Sequence, residues 1–137
     1  MDTVFLNGRF VAHDDATISI KDRGFLYSDS IYETLPIEQG RCLALPDRID
    51  RLHSNLTHLG IETPHTPDEW QHILSELIQH NEAQSGRYYI YLHVTRGTSP
   101  IRQLHIPSAC KPTVLAFMGQ ITPEQTQQYQ RGFKVIT

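Results

Sequence analysis

From Tyr88 to Thr95 the chain alternates without a break: Tyr88, Ile90, Leu92 and Val94 fall on one face, and Tyr89, Tyr91, His93 and Thr95 on the other. A period of two is the signature of a strand. The first face suits a core, whereas the second mixes phenols with an imidazole, the composition of a ligand-cleft wall. Thr113 to Met118 is a continuous apolar run that predicts a buried strand. Near the start, Val4 to Leu6 and Arg9 to Val11 flank Asn7-Gly8, a pair that accepts the positive φ of a two-residue hairpin turn. Ala16 to Ile20, with Ile18 and Ile20 on one side, predicts a further extended segment. Ser30 to Ile37 and Arg41 to Leu45, separated by Glu38-Gln39-Gly40, predict a second hairpin.

The period then changes to that of a helix. After Pro46, the residues Ile49, Leu52, Leu56 and Leu59 form one stripe, and Gly60 supplies a C-terminal stop. Thr66-Pro67-Asp68-Glu69 combines an N-cap, a first-turn proline and a capping-box glutamate ahead of Trp70, Ile73, Leu74, Leu77 and Ile78. Thr122-Pro123-Glu124 opens a Gln-rich stretch to Gln130 that suits a short helix or a loop. Gly132 to Thr137 reads as another strand and then stops without turn, cap or polar tail, which suggests part of something longer. The sum is an α+β domain over residues 1–137: an antiparallel or mixed sheet with two helices packed on it.

Composition narrows the function classes. With 137 residues, 39% of them apolar, the chain can bury one core. A net charge of −3 with twelve Lys and Arg scattered among fifteen acids offers no basic stripe for nucleic acid. No apolar stretch reaches membrane-spanning length and no leader-like segment opens the chain, so a cytoplasmic protein is expected. Cys42 and Cys110 stand far apart and read as ordinary thiols. The eight histidines form no metal-ligand spacing, and neither a nucleophile elbow nor a Gly-rich phosphate loop occurs. Asp29 and Glu33 could pair as carboxylates but read as local caps and turns. Arg51 lies about 120° from the middle of its helix's apolar stripe, at about 100° per residue, and by itself reads as solvated. The stretch Thr95 to Pro107 sets Arg96, Arg102 and His105 around Gly-Thr-Ser-Pro; it suits a plain solvated loop or a rigid turn that grips a carboxylate, and the residues alone leave both open.

Four motifs in order resolve part of this. Asp22-Arg23-Gly24-Phe25, Ser28-Asp29-Ser30-Ile31-Tyr32-Glu33, Arg48-Ile49-Asp50-Arg51-Leu52 and Thr95-Arg96-Gly97-Thr98-Ser99-Pro100 together resemble the N-terminal domain of class IV (fold type IV) pyridoxal-phosphate aminotransferases, closest to the D-amino acid transaminases. The resemblance implies that Arg51 holds the phosphate of pyridoxal 5'-phosphate, a task its fork of donors suits. It implies that Tyr32 lines the substrate side, and that Arg102 and His105 form a carboxylate trap offered to the neighbouring subunit of a homodimer. The substrates implied are a D-amino acid such as D-alanine and a 2-oxo acid.

The chain also departs from the family pattern. One residue, Ile101, separates Pro100 from Arg102 and two separate Arg102 from His105, so the loop is one residue longer. Ser28 and Ser30 stand where glycines are common. The family's Schiff-base lysine belongs to a second, C-terminal domain absent from this chain, and Lys21, Lys111 and Lys134 match no such position. The chain alone is therefore expected not to transaminate. An aminodeoxychorismate lyase, a branched-chain or amine transaminase of the same fold, and a non-catalytic binding or assembly domain are the alternatives.

Overall fold

The computed structural model describes residues 1–107 and 109–135. Six strands form one sheet: β1 (Thr3–Leu6), β2 (Arg9–Ala12), β3 (Ser30–Glu38), β4 (Arg41–Cys42), β5 (Arg87–Thr95) and β6 (Thr113–Gln120), in the order β2-β1-β6-β5-β3-β4. Every pairing is antiparallel, so the sheet is not mixed. Four helices accompany it: α1 (Arg23–Tyr27), α2 (Leu45–Leu59), α3 (Pro67–His80) and α4 (Pro123–Arg131). None of the helices is long and apolar enough to cross a membrane among the described residues.

The core lies between one face of the sheet and the two long helices. Leu35 and Ile37 of β3, Ile90, Leu92 and Val94 of β5, and Val114, Ala116 and Met118 of β6 meet Ile49, Leu52 and Leu56 of α2 and Trp70, Leu74 and Leu77 of α3. The apolar stripes read from the sequence are thus the buried ones, except for Leu59 at the end of α2, which is exposed. Trp70 is fully buried, and its indole N–H donates to His53 Nε2 at 3.1 Å. That bond joins the helices and spares the core an unpaired donor. The capping box at Thr66 and Glu69 is formed in both directions. Asn7 and Gly8 both take positive φ in the first hairpin, as expected.

Three expectations change. The segment around Ile18 and Ile20 joins no strand, and these side chains are exposed; alternation over so few residues does not supply a pairing partner. The β4 strand is only two residues long because Ala44 adopts a left-handed conformation and α2 begins at Leu45, earlier than Pro46 implied. Residues 132–135 form no strand, while Ile136 and Thr137 lie outside the described residues. The Gln-rich stretch resolves as helix α4, capped by Thr122 and Gln125 but burying none of its residues.

Ser28 shows what one of the departures costs. It ends α1 with φ 56° and ψ 27°, the left-handed cap region where a Cβ is unfavourable. A glycine fits there without that penalty. Ser28→Gly is therefore expected to stabilise the chain by about 1 kcal/mol, seen as a higher urea midpoint; a lower midpoint would show that the serine side chain contributes more than the strain costs.

Candidate active-site edge and the loop beside it

Because β4 covers only Ile37 and Glu38 of β3, the outer edge of β3 from Ser30 to Pro36 has no strand beside it among the described residues. Two consecutive residues on that edge face opposite ways, as a strand requires. Tyr32 stands on the open face of the sheet, 60% exposed, stacked on Tyr91 at 5.3 Å and edge-on to His93 at 6.4 Å. Glu33 turns under α2 and is 1% exposed. There it receives both arms of Arg51: Nε donates to Oε1 at 2.7 Å and Nη2 to Oε2 at 2.5 Å. Arg48, one turn earlier on α2, brings a second guanidinium 3.7 Å from Oε2.

Arg48 and Arg51 thus share one buried carboxylate at this edge. Arg51 is 56% exposed even while bound, so its Nη1 side faces outward. An exposed cation held by a buried anion is a natural seat for a phosphate or carboxylate. Tyr32 and Arg51 thus flank one open edge from its two sides. His93, whose burial holds its imidazole below its ordinary pKa against the opposing pull of Asp22, lines a cleft of about 420 Å³ with Ile18, Ile20, Phe25 and Thr95 on the same face as Tyr32.

The stretch after β5 is organised by a different set of charges. Arg96, read from the sequence as a possible carboxylate grip, is buried and structural. Its Nε donates to Asp29 Oδ2 at 2.8 Å, and its Nη1 and Nη2 donate to the carbonyls of Gly60 and Leu59 at the end of α2. Arg23 donates to the same Asp29 oxygen at 2.7 Å and, through its far end, to the carbonyls of Gln103 at 2.9 Å and His105 at 3.4 Å. The loop is held by its backbone, which leaves its side chains free. Arg102 is exposed, with its guanidinium 5.7 Å from the Tyr27 ring, and His105 is exposed as well. Gly97 has φ +93°, and a Cβ there would stand 1.8 Å from the Lys111 carbonyl oxygen, so no other residue fits the turn.

Of the four residues singled out by sequence, the structure sets Tyr32 and Arg51 about one edge and Arg102 and His105 together on the neighbouring loop. No hydrogen bond joins the two pairs among the described residues. Lys21, Lys111 and Lys134 are all exposed, and among the described residues no hydrogen bond or ion pair joins any of them to Tyr32 or Arg51. Asp29 and Glu33, read from the sequence as local caps and turns, instead receive arginines, and sequence reasoning gave Arg23 no structural role. Their signal was present only as charged residues inside motifs; the β3–β5 register, with Ser30 opposite Thr95, sets Asp29 beside Arg96, and the packing of α2 on β3 sets Glu33 beside Arg51. No group of three potential metal ligands occurs among the described residues, and both cysteines are free, with burial pushing the Cys42 thiol up to about 11.

Solved structures that share this fold include aminotransferases and a lyase. The branched-chain amino acid aminotransferase from Escherichia coli matches 87% of this chain and 41% of its own, with a TM-score of 0.78 at 17% identity. The 4-amino-4-deoxychorismate lyase from Pseudomonas aeruginosa matches 94% of this chain and 44% of its own, with a TM-score of 0.70 at 25% identity. Residues 30–137 match the family model of class IV amino-transferases, and the chain belongs to that family. Among curated relatives, the D-alanine aminotransferase of Listeria monocytogenes is 30% identical over 135 residues, covering 98% of this chain and 46% of the relative. That of Bacillus licheniformis is 31% identical over 134 residues, again covering 98% and 46%. The chain thus spans less than half the length of these relatives.

The Asp29 bridge makes a pH prediction. Burial raises its carboxyl pKa, but the hydrogen bonds and charges of Arg96 and Arg23 outweigh that and hold it below its ordinary 3.8. A lowered folded value means that the bridge's stabilisation is complete above the ordinary value and is lost as pH falls through the folded one. Asp29→Ala should cost on the order of 3 kcal/mol at neutral pH by stranding two buried arginines. It should also flatten the fall in urea midpoint between about pH 5 and 3. An unchanged pH slope in the variant would contradict the assignment.

Proposed function

We propose that this chain is the N-terminal part of a pyridoxal-phosphate aminotransferase that moves the amino group of a D-amino acid of the D-alanine type to a 2-oxo acid. The observation that carries the reading is the likeness to D-alanine aminotransferases over 98% of the chain, at 30–31% identity, within which Tyr32, Arg51, Arg102 and His105 fall on an accessible edge and loop. The residues present fit the cofactor's phosphate: Arg51 is fixed by Glu33 yet exposed, and Arg48 stands against the same carboxylate. When bound, the cofactor supplies the electron sink for breaking a bond at the substrate's α-carbon.

In this reading Arg51 holds the phosphate and Tyr32 offers its hydroxyl to the substrate side of the edge. Arg102 and His105 hold the substrate carboxylate and so orient the bond that breaks. They do so for a second copy in a homodimer, a role supported by the exposed apolar residues Ile101, Leu104 and Ile106 that surround them and would be covered by a partner. The two free thiols suit the reducing cytoplasm. The proton-shuttling lysine is supplied from outside these 137 residues.

The test uses D-alanine, 2-oxoglutarate and pyridoxal phosphate in a coupled pyruvate assay, with this chain and with the product of the whole reading frame that contains it. No turnover is expected from the chain alone. The longer product is expected to turn over D-alanine, and Arg102→Ala in it should raise KM for D-alanine at least tenfold, as loss of a charge-assisted carboxylate contact would. Turnover by the chain alone would overturn the need for an outside lysine. A longer product that ignores D-alanine and transaminates L-amino acids, or that releases pyruvate from aminodeoxychorismate, would replace this reading with another branch of the family.

A further inference from the structure

Glu33 is a buried carboxylate without an evident reason to be there for stability. Its cross-strand neighbour Leu92 and its strand neighbour Leu35 are fully buried core residues. A carboxylate in that position costs desolvation that an apolar residue would not incur. Its bidentate partner Arg51 is more than half exposed, so this pairing cannot be a fully desolvated ion pair worth much by itself. What the pairing does accomplish is geometric. Two parallel N–H···O bonds fix the plane and direction of a guanidinium that would otherwise swing on a flexible stem. The Nε and one Nη2 hydrogen are committed inward, which leaves the Nη1 pair and the second Nη2 hydrogen directed away from the core.

We propose that Glu33 is a positioning residue: it holds the Arg51 guanidinium in one orientation so that its outward N–H groups meet a phosphate monoester at the open β3 edge. The inference rests on the reading of Arg51 as the phosphate arginine and adds to it a requirement for a negative charge behind the positive one. The requirement runs against simple electrostatics. Removing a carboxylate 2.7 Å from Arg51 raises the local positive charge, and charge alone would then tighten anion binding. Preorganisation makes the opposite demand, because a mobile guanidinium must be ordered at the moment of binding.

The opposed signs define the experiment. Pyridoxal phosphate, and pyridoxal as the probe lacking phosphate, are titrated into the chain and into its Glu33→Gln and Arg51→Ala variants, with the Arg51 Nε–H NMR signal and probe absorbance as readouts. Glu33→Gln is expected to weaken pyridoxal phosphate about tenfold, to leave pyridoxal unchanged, and to move the Arg51 Nε–H signal toward that of a free arginine. Arg51→Ala should lose the preference for the phosphorylated probe altogether.

If Glu33→Gln binds pyridoxal phosphate as tightly as the unmodified chain or more tightly, while Arg51→Ala loses it, the positioning role is overturned and the phosphate reading of Arg51 stands. If Arg51→Ala keeps the preference, or if the unmodified chain shows none at millimolar probe, both fall. Should Glu33→Gln fail to fold, the unmodified chain decides: the Arg51 Nε–H signal must stay in its Glu33-bonded position as phosphate binds, and its collapse to the free-arginine position would show phosphate displacing Glu33 and overturn the proposal.

Discussion

One carboxylate oxygen, Asp29 Oδ2, accepts hydrogen bonds from two buried arginines, Arg23 and Arg96, the second lying 67 positions along the chain. Much of the arrangement around the site depends on that junction. Through Arg96 it ties the last carbonyls of α2 to the end of β5. Through Arg23 it ties the turn before β3 to the backbone of the loop at Gln103 and His105. Asp22, next in the chain, accepts from Gly24 N–H and from Thr113 Oγ1, so the same turn is also pinned to the start of β6. Buried ions of this kind contribute little net stability, but removing one partner strands the others; the junction therefore specifies a geometry more than it strengthens a fold.

That geometry divides the labour between backbone and side chains. The loop after β5 is gripped through its carbonyls, so Arg102 and His105 are free to meet a ligand or a second copy. The edge of β3 is gripped through side chains, with Glu33 holding Arg51 from beneath. Tyr32 and Glu33 can serve opposite sides of that edge only because strand alternation turns them apart, and the edge is accessible only because β4 ends after two residues.

Much of the fold was legible in the sequence, and the reason is local. The capping box at Thr66, the stripes of α2 and α3 and the alternation of β5 each carry their meaning within one turn or a few residues. The failures have the same origin. Ile18 and Ile20 alternate, but a strand needs a partner that local pattern does not name, and the early start of α2 rests on Ala44 entering a left-handed conformation that alanine rarely adopts. For the proposed site, Tyr32, Arg51, Arg102 and His105 were singled out through motif resemblance. Arg96 drew notice for the wrong role, since nothing local indicates that a guanidinium will cap a distant helix. The roles of Glu33, Asp29 and Arg23 stayed hidden because the fold brings their partners near: Arg51 through the packing of α2 on β3, and Arg96 through the β3–β5 register.

The loop bearing Arg102 and His105 is positioned from behind by Arg23. The direct measurement is residue-resolved amide hydrogen exchange on Arg23→Lys beside the unmodified chain, since lysine keeps the charge but cannot reach Asp29 and the loop carbonyls with the same fork. The account expects faster exchange and shifted resonances confined to Gln103 through Ile106 and the Asp29 turn, with β5 and β6 unchanged. A loop with unaltered resonances and exchange in that variant would contradict it.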